Sequence, residues 1–282
     1  MRTRAPYLFL APYLILFGLF WAWPVVYALY LSFLNTRVYP WRLDPGLNWS
    51  RLLQDPFFFV ALKNTLFILA VQVPLMLVLA LGLAMALNSA LLRLKGFYRF
   101  AFFAPVVVGA VAYSAIFRLL FNTEFGAVNA FLRALGHPGY DWLYTPGPAM
   151  AAIILALTWR WTGYNAIILL AGLQNIPREL YEAAAIDGAG PWQRFWHVTL
   201  PGIRPVLLFC LVLSIIGTLQ LFTEPFLITA GGPGNATMTL GLYLYQQGFR
   251  SFNFGYASAI GYTVALLAAA FSFLQLRLWR ER

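Results

Sequence analysis

Arg160 sits about halfway along an apolar run at residues 148–173, flanked by Trp159, Trp161, Tyr164 and Asn165. An arginine at mid-membrane depth costs about 2.5–3.5 kcal/mol on insertion scales, so it faces a cavity or a protein partner instead of lipid. The neighbouring rings suggest what such a cavity would hold. Aromatic faces stack on flat apolar surfaces, while a few polar side chains can hydrogen-bond a ligand's rim. Ser214, Thr218 and Gln220 lie at comparable depth in a later apolar run and are candidates for the same space. This chemistry is recognition, not bond-making. A plainer reading stays open: with ten Trp and fifteen Tyr in the chain, any one aromatic residue can simply be packing.

Residues that would make or break bonds are missing from the pattern. No paired carboxylates, metal-ligand spacing or nucleophile motif stands out, so no catalytic residue and no metal site is expected. His137 and His197 are far apart in the sequence and read as structural. The single Cys210 lies in an apolar run and has no partner for a disulfide within the chain. A phosphate-binding Gly-x-x-x-x-Gly-Lys-Ser/Thr loop is absent, and the only lysines, Lys63 and Lys95, sit in other contexts. The chain therefore carries no nucleotide site of that kind. Two glycosylation-type triplets, Asn48-Trp49-Ser50 and Asn235-Ala236-Thr237, are too short to be informative.

The elements that must position Arg160 and its neighbours are membrane spans. Of 282 residues, 61% are hydrophobic and 10% charged, against about 45–50% and 25% in soluble domains. The net charge of +10 does not point to nucleic acid, because the arginines are scattered among short loops. A helix needs about 20 apolar residues to cross the hydrocarbon core. Runs of that length predict an all-α integral membrane protein with six transmembrane helices, at about 8–33, 61–87, 99–121, 148–173, 205–228 and 255–276. The first run is too long for a signal-peptide core and is read as a retained helix. Arg2, Arg4, Arg93, Lys95, Arg99, Arg178, Arg194, Arg204, Arg277, Arg280 and Arg282 fall on one side of this arrangement. Arg37, Arg42, Arg51, Lys63, Arg118, Arg133 and Arg250 fall on the other, a bias that places both termini in the cytoplasm.

The expected organisation is an N-terminal helix with the first outside loop over 1–60, then a five-helix core over 61–282. Outside segments near 34–60, 122–147 and 229–254 are too short to fold alone. In the second of these, Phe125, Val128, Leu132 and Leu135 have helical spacing and Gly136 can end the turn. In the third, Gly231-Gly232-Pro233-Gly234-Asn235 is a turn signal. Glu224 lies nearer the outer end of the fifth run and reads as an interfacial acid; Gly255, Ala259 and Gly261 in the sixth run suit close helix packing.

The inside loop at 174–205 is the most ordered-looking connection. Pro177 opens a helix, Glu179 places negative charge in its first turn, and Gly188 and Gly190 end it. Pro191 starts a second helix through His197 with Trp192, Phe195 and Trp196 on it, before Pro201 closes it. Such a helix-turn-helix either docks in a partner's groove or lies on the membrane without one.

The run Glu182-Ala183-Ala184-Ala185-Ile186-Asp187-Gly188-Ala189-Gly190, followed by Phe195 and Leu200-Pro201, closely resembles the Glu-Ala-Ala loop of ABC importer permeases. Ala171-Gly172-Leu173-Gln174-Asn175-Ile176-Pro177 and Glu179-Leu180-Tyr181 are similar to the carbohydrate branch of that family. So are Phe102-Phe103-Ala104-Pro105, Phe121-Asn122 with Gly126 and Asn129, Thr229 with the Gly-Gly-Pro-Gly turn, and Phe254-Gly255-Tyr256-Ala257. The resemblance covers most of 97–276. It implies a type I ABC importer permease fold and a maltose or glycerol-phosphate type of sugar importer in a prokaryotic cytoplasmic membrane. Two permeases would pair as a heterodimer, two cytoplasmic ATPases would dock on their loops, and an extracytoplasmic binding protein would deliver substrate. Cofactors, ATP and Mg, would sit on the ATPase subunits and not in this chain.

By the same resemblance Glu179, Tyr181, Glu182, Ala183, Ala184, Asp187, Gly188, Ala189 and Phe195 belong to the ATPase-coupling segment. Ungapped extension from these anchors also places Arg160, Trp161, Tyr164, Ser214, Gly217 and Thr218 where the maltose type meets its substrate, although several residue types differ. With Asn165 and Gln220 they make up the candidate substrate wall. Arg160 keeps two readings, a substrate contact or a pair with the second permease, and its charge leans the substrate toward an anionic or strongly hydroxylated ligand. An ion-coupled secondary transporter or channel is the rival class; it would need acids deep in the membrane, and only Glu224 approaches that.

Overall fold

The structure is a computed structural model that describes residues 5–89 and 91–280. It is almost entirely helical. In chain order the helices are α1 (Ala5–Phe17), α2 (Trp23–Ser32), α3 (Leu47–Gln54), α4 (Pro56–Asn88), α5 (Lys95–Val107), α6 (Ala110–Leu120), α7 (Ala127–Ala134), α8 (Pro146–Gln174), α9 (Arg178–Ile186), α10 (Pro191–Arg194), α11 (Leu200–Leu219), α12 (Leu240–Tyr245) and α13 (Phe254–Arg280). Two short strands, β1 (Leu34–Asn35) and β2 (Arg42–Leu43), pair antiparallel between α2 and α3. Among the described residues, five helices are long and apolar enough to cross a membrane, or six if the bent pair α5 and α6 is one span. The protein is a multi-pass membrane protein.

Single turns of wider π-helix join α1 to α2 and α10 to α11. The second join changes the expected inside loop. Pro201 does not end a short helix there; Pro191–Leu219 runs on as one span-length helix. A proline ring clashes with the carbonyl four residues back, and the wide turn at Phe195–Thr199 shifts the bonding register just ahead of Pro201, which lets the helix continue.

The third span is not the single straight helix expected over 99–121. Its halves meet at Val108 and Gly109 with a bend of 96°. Both residues are extended, with ψ of 128° and 140°, and Pro105 one turn earlier has no amide to hold the ladder together. Broken backbone is tolerated at membrane depth where protein or a cavity receives its free polar groups.

The chain forms two compact units. One comprises residues 1–59 and 243–267, the other 60–242 and 268–282. In the first, polar side chains bind backbone that the tight loop leaves free. Asn48 Nδ2 donates to the carbonyls of Ser32 and Leu34 at 3.0 and 2.8 Å, and the Gly255 amide donates to Thr36 Oγ1 at 3.0 Å. Gly255 is required here, because a Cβ would fall 2.4 Å from the Leu34 carbonyl oxygen. Asp55 Oδ2 accepts from the hydroxyls of Tyr243 and Tyr256, the latter at 2.6 Å, and the Arg51 guanidinium lies 4.1 Å from the Tyr256 ring centre. These bonds group residues 243–267 with the N-terminal segment.

The second unit is built around α8, of which more than half of the most apolar stretch is buried. Small residues let its neighbours approach: a Cβ on Gly163 would meet the Phe102 carbonyl oxygen of α5 at 1.7 Å, and one on Gly172 would meet Val206 of α11 at 2.9 Å. One apolar cluster joins α4, α8 and α11 through Met76, Ala80, Leu169, Ile203 and the free, buried Cys210. Another joins α4, α6 and α8 through Ile68, Tyr113, Phe117, Ile153 and Leu157. The glycine-rich turn after residue 230 has positive φ at Gly231, Gly234 and Asn235, and is held by Asn64 Nδ2 donating to the Asn235 and Met238 carbonyls at 3.0 Å. The helical spacing of Phe125, Val128, Leu132 and Leu135 corresponds to α7 (Ala127–Ala134), and Gly136 just beyond it has φ of +87°.

Candidate functional site

The candidate residues lie on two helices. Arg160, Trp161, Tyr164 and Asn165 occupy one stretch of α8, spaced so that 160, 161 and 164 share a face. Ser214, Gly217 and Thr218 occupy the last turns of α11, and Gln220 its C-terminal boundary. All of them line a single cavity of about 280 Å³ in the second unit. Ligand pockets span roughly 300–1,000 Å³, so this is a small recess or one wall of a larger space.

Sequence reasoning missed part of that wall. Gln72 and Met76 of α4 line it, as do Ala110 at the broken helix and Thr223 and Glu224 beyond the end of α11. Gln72 had a legible signal, being a polar side chain in the middle of an apolar span, and it is buried at 3% exposure. Met76 had none; its sulfur accepts from Asn165 Nδ2 at 3.4 Å, and that amide also donates to the Trp161 carbonyl at 3.0 Å.

Arg160 has several partners in its own chain. Its Nη1 lies 3.8 Å from Glu224 Oε1, with both side chains largely buried, and its Nη2 donates to the Val108 carbonyl at 3.4 Å. The break between α5 and α6 frees that carbonyl. The guanidinium also sits 4.6 Å from the Tyr113 ring centre and 5.8 Å from that of Trp161, within cation–π range. Glu224 is 5% exposed and serves as the counter-charge of Arg160. Glu224 lies just beyond the end of α11 at Leu219, where residues 220–222 are non-helical before the next helical turn begins.

Trp161 and Tyr164 meet edge to face at 5.7 Å, and Tyr164 also tilts against Phe103 of α5 at 6.4 Å. Their contacts fix two aromatic surfaces beside Ser214, Thr218, Gln220 and Asn165, which supply hydroxyl and amide groups. This lining can bind a flat-faced, hydroxylated molecule.

At the other end of α8, the loop after Gln174 presents a second surface. Glu179, Glu182, Ala183, Asp187 and Gly188 are exposed, while Tyr181, Ala184, Ala189 and Phe195 are half-buried. Ile186 is 87% exposed. Tyr181 Oη and Thr199 Oγ1 are hydrogen-bonded at 3.0 Å, which ties α9 to the following helix. The turn requires Gly188, whose φ is +79°, and the Gly190 amide donates to Gln193 Oε1 at 2.8 Å to start α10. The structure thus builds the first expected helix as α9, exposed along much of its length, and runs the second on into α11. His137 and His197 each make a local hydrogen bond to nearby backbone, in keeping with structural roles.

A family model described as "Binding-protein-dependent transport system inner membrane component" matches residues 64–280. The lactose transport system permease protein LacF of Rhizobium radiobacter is 45% identical, covering 98% of this chain and 94% of that protein. The arabinooligosaccharides transport system permease protein AraP of Bacillus subtilis (strain 168) is 37% identical, covering 98% and 89%. Among solved structures, a bacterial ABC transporter involved in the import of the acidic polysaccharide alginate superposes with a TM-score of 0.84 at 24% identity. That likeness covers 98% of this chain and 95% of the other and concerns the fold.

Proposed function

The chain belongs to the family of inner membrane components of binding-protein-dependent transport systems, and from that premise we propose that it forms half of the passage of an ATP-driven sugar importer. As a permease subunit it is not itself an enzyme. The observation that carries the sugar reading is the convergence of Trp161, Tyr164, Asn165, Ser214, Thr218 and Gln220 on one cavity. Aromatic faces and neutral hydrogen-bonding groups are what a saccharide ring needs. The names of the lactose and arabinooligosaccharide relatives support the same substrate class. An ion-coupled transporter is set aside by the family.

The rest of the assembly follows from that reading. A second, homologous permease completes the passage, and the almost wholly exposed α1 and α2 are free to face it or lipid. The loop at 174–205 lies in the cytoplasm with both termini, and one of two ATPase subunits docks on it. Glu179, Glu182, Asp187 and the exposed Ile186 meet that subunit, and Tyr181 and Phe195 brace the loop from behind. ATP and Mg are held by the ATPases. An extracytoplasmic binding protein delivers the sugar, and the membrane is the prokaryotic cytoplasmic membrane. Closure of the ATPases on ATP favours one arrangement of the permease pair, because nucleotide binds that state better, and rigid-body movement then turns the cavity outward.

Expression of this chain with its neighbouring genes, followed by affinity purification and sugar uptake in vesicles, tests the proposal. An ATPase should co-purify, and Trp161→Ala with Tyr164→Ala should abolish uptake while membrane levels hold. Uptake and specificity unchanged in that double variant would overturn the substrate assignment; the lack of any ATPase in the complex would overturn the importer assembly.

A further inference from the structure

We infer that the cavity is built for an uncharged saccharide, and that Arg160 and Glu224 form a neutralised pair that reads hydroxyl groups instead of attracting an acid. This rests on the reading of the cavity as a sugar site. Among the residues lining it, Arg160 is the single cation and Glu224 the single anion. They stand 3.8 Å apart, so the wall carries both charges and no net one.

A carboxylate or phosphate on the ligand can gain Arg160 only by competing with Glu224. Displacing that partner would strand a carboxylate that is 5% exposed, and removing one member of a buried pair leaves an uncompensated charge. An acidic ligand that does not displace it meets a like charge within a few ångströms of the guanidinium. Either route penalises anions. A hydroxyl suffers neither penalty, because it both donates and accepts.

The geometry suits such a group. At 3.8 Å the Arg160–Glu224 contact is longer than a hydrogen bond, whose optimum is about 2.7–3.2 Å. One hydroxyl oxygen beside the pair can lie about 2.8 Å from both atoms, accepting from the guanidinium and donating to the carboxylate. Arg160 Nε and Nη1 make no hydrogen bond within the described residues and are closed off from the cavity space, so a bridging hydroxyl takes these donors only as the side chains part to admit it. The nearby Trp161 and Tyr164 rings take the apolar ring face and are indifferent to charge. Arg160 alone leaned the expected substrate toward an anionic or strongly hydroxylated ligand; its pairing with Glu224 favours the second of these.

The assembled importer in lipid nanodiscs, without binding protein, gives the permease's own selectivity. Equilibrium dialysis would compare lactose, maltose and α-1,4-galactobiose with digalacturonate, which matches galactobiose except for a carboxylate at C6 of each ring. At least one neutral disaccharide should bind ten times more tightly than digalacturonate. Digalacturonate binding as tightly as the neutral sugars would overturn the inference while leaving the sugar site intact. Failure of all four to bind would overturn the sugar site itself and the inference with it. In Glu224→Gln, Arg160 is left unpaired, and the preference should move at least tenfold toward digalacturonate; Arg160→Gln with Glu224→Gln should restore the neutral preference. An unchanged ratio in Glu224→Gln would also overturn the inference, and the wild-type comparison stands even if that variant does not fold.

Discussion

The guanidinium of Arg160 and the carboxylate of Glu224, 64 positions apart in the chain, meet at 3.8 Å in the wall of one cavity, and the break in the third span supplies the guanidinium with a carbonyl from Val108. A buried cation, a buried acid and a broken helix thus meet at one place, with Arg160 Nε and Nη1 left without a hydrogen bond among the described residues.

Removing one member of that pair should be far worse than removing both. Arg160→Ala or Glu224→Ala leaves a buried charge without its partner and is expected to cost about 3–5 kcal/mol, whereas replacement of both by apolar residues of similar volume should be close to neutral. Thermal unfolding of the four proteins in detergent measures the coupling; additive effects of the single changes would contradict it.

Two glycines on the helices that form the site should respond in opposite ways. Gly163→Ala drives a methyl group into the Phe102 carbonyl, so α5 and α8 must separate, at a cost of about 1–3 kcal/mol or more. Gly217→Ala meets nothing within 4 Å and should fold as wild type. Because Gly217 lines the cavity, its variant should still show weakened sugar uptake. Melting temperature separates the first case, and transport the second.

Gly188→Val is expected to insert in the membrane at normal levels and to lose most sugar-stimulated ATP hydrolysis. Its φ of +79° is strained for any side chain, by roughly 1–2 kcal/mol, although a Cβ would meet no other atom within 4 Å. The strain falls on the turn between α9 and α10, so the defect should lie in coupling. Full ATPase stimulation by this variant would show that the turn need not hold its shape.

Acid should weaken the first unit through Asp55. Burial alone would raise its pKa, but hydrogen bonds from Tyr243 and Tyr256 and from the amides of Phe57 and Phe58 together hold it below the usual value of 3.8. The folded state thus binds this proton less readily than the unfolded state. The resulting stability is fully present above about pH 4 and is lost as pH falls through the lowered value. Asp55→Asn should be less stable at pH 7 and lose less on acidification. Parallel melting curves for both proteins from pH 7 to pH 3 would show that Asp55 is not responsible.

Much of the fold is legible in residue order alone. Hydropathy implies spans because the bilayer demands long apolar helices whatever their packing. Gly136, Gly188 and the Gly231–Asn235 turn are legible because positive φ is a local requirement. The loop at 174–205 is recognisable by residue type and spacing. Two features escape such a reading. The break at Val108–Gly109 has only Pro105 as a sign, and Pro205 lies inside a helix that continues, so proline by itself does not distinguish a break from a span. The run from α10 into α11 likewise depends on a change of bonding register around Pro201 that no residue type announces.

By itself the sequence determined that this protein crosses a membrane several times, that a helix and a glycine turn follow the fourth span, and that Arg160 must face something other than lipid. These follow from solvation and local backbone geometry, which each segment carries alone. Only the tertiary structure decided what Arg160 faces. The partner is Glu224, just beyond the end of α11, and the wall is completed by Gln72 and Met76 from α4. Charge compensation at a buried site depends on distances between segments remote in sequence, and those distances exist only once the helices have packed.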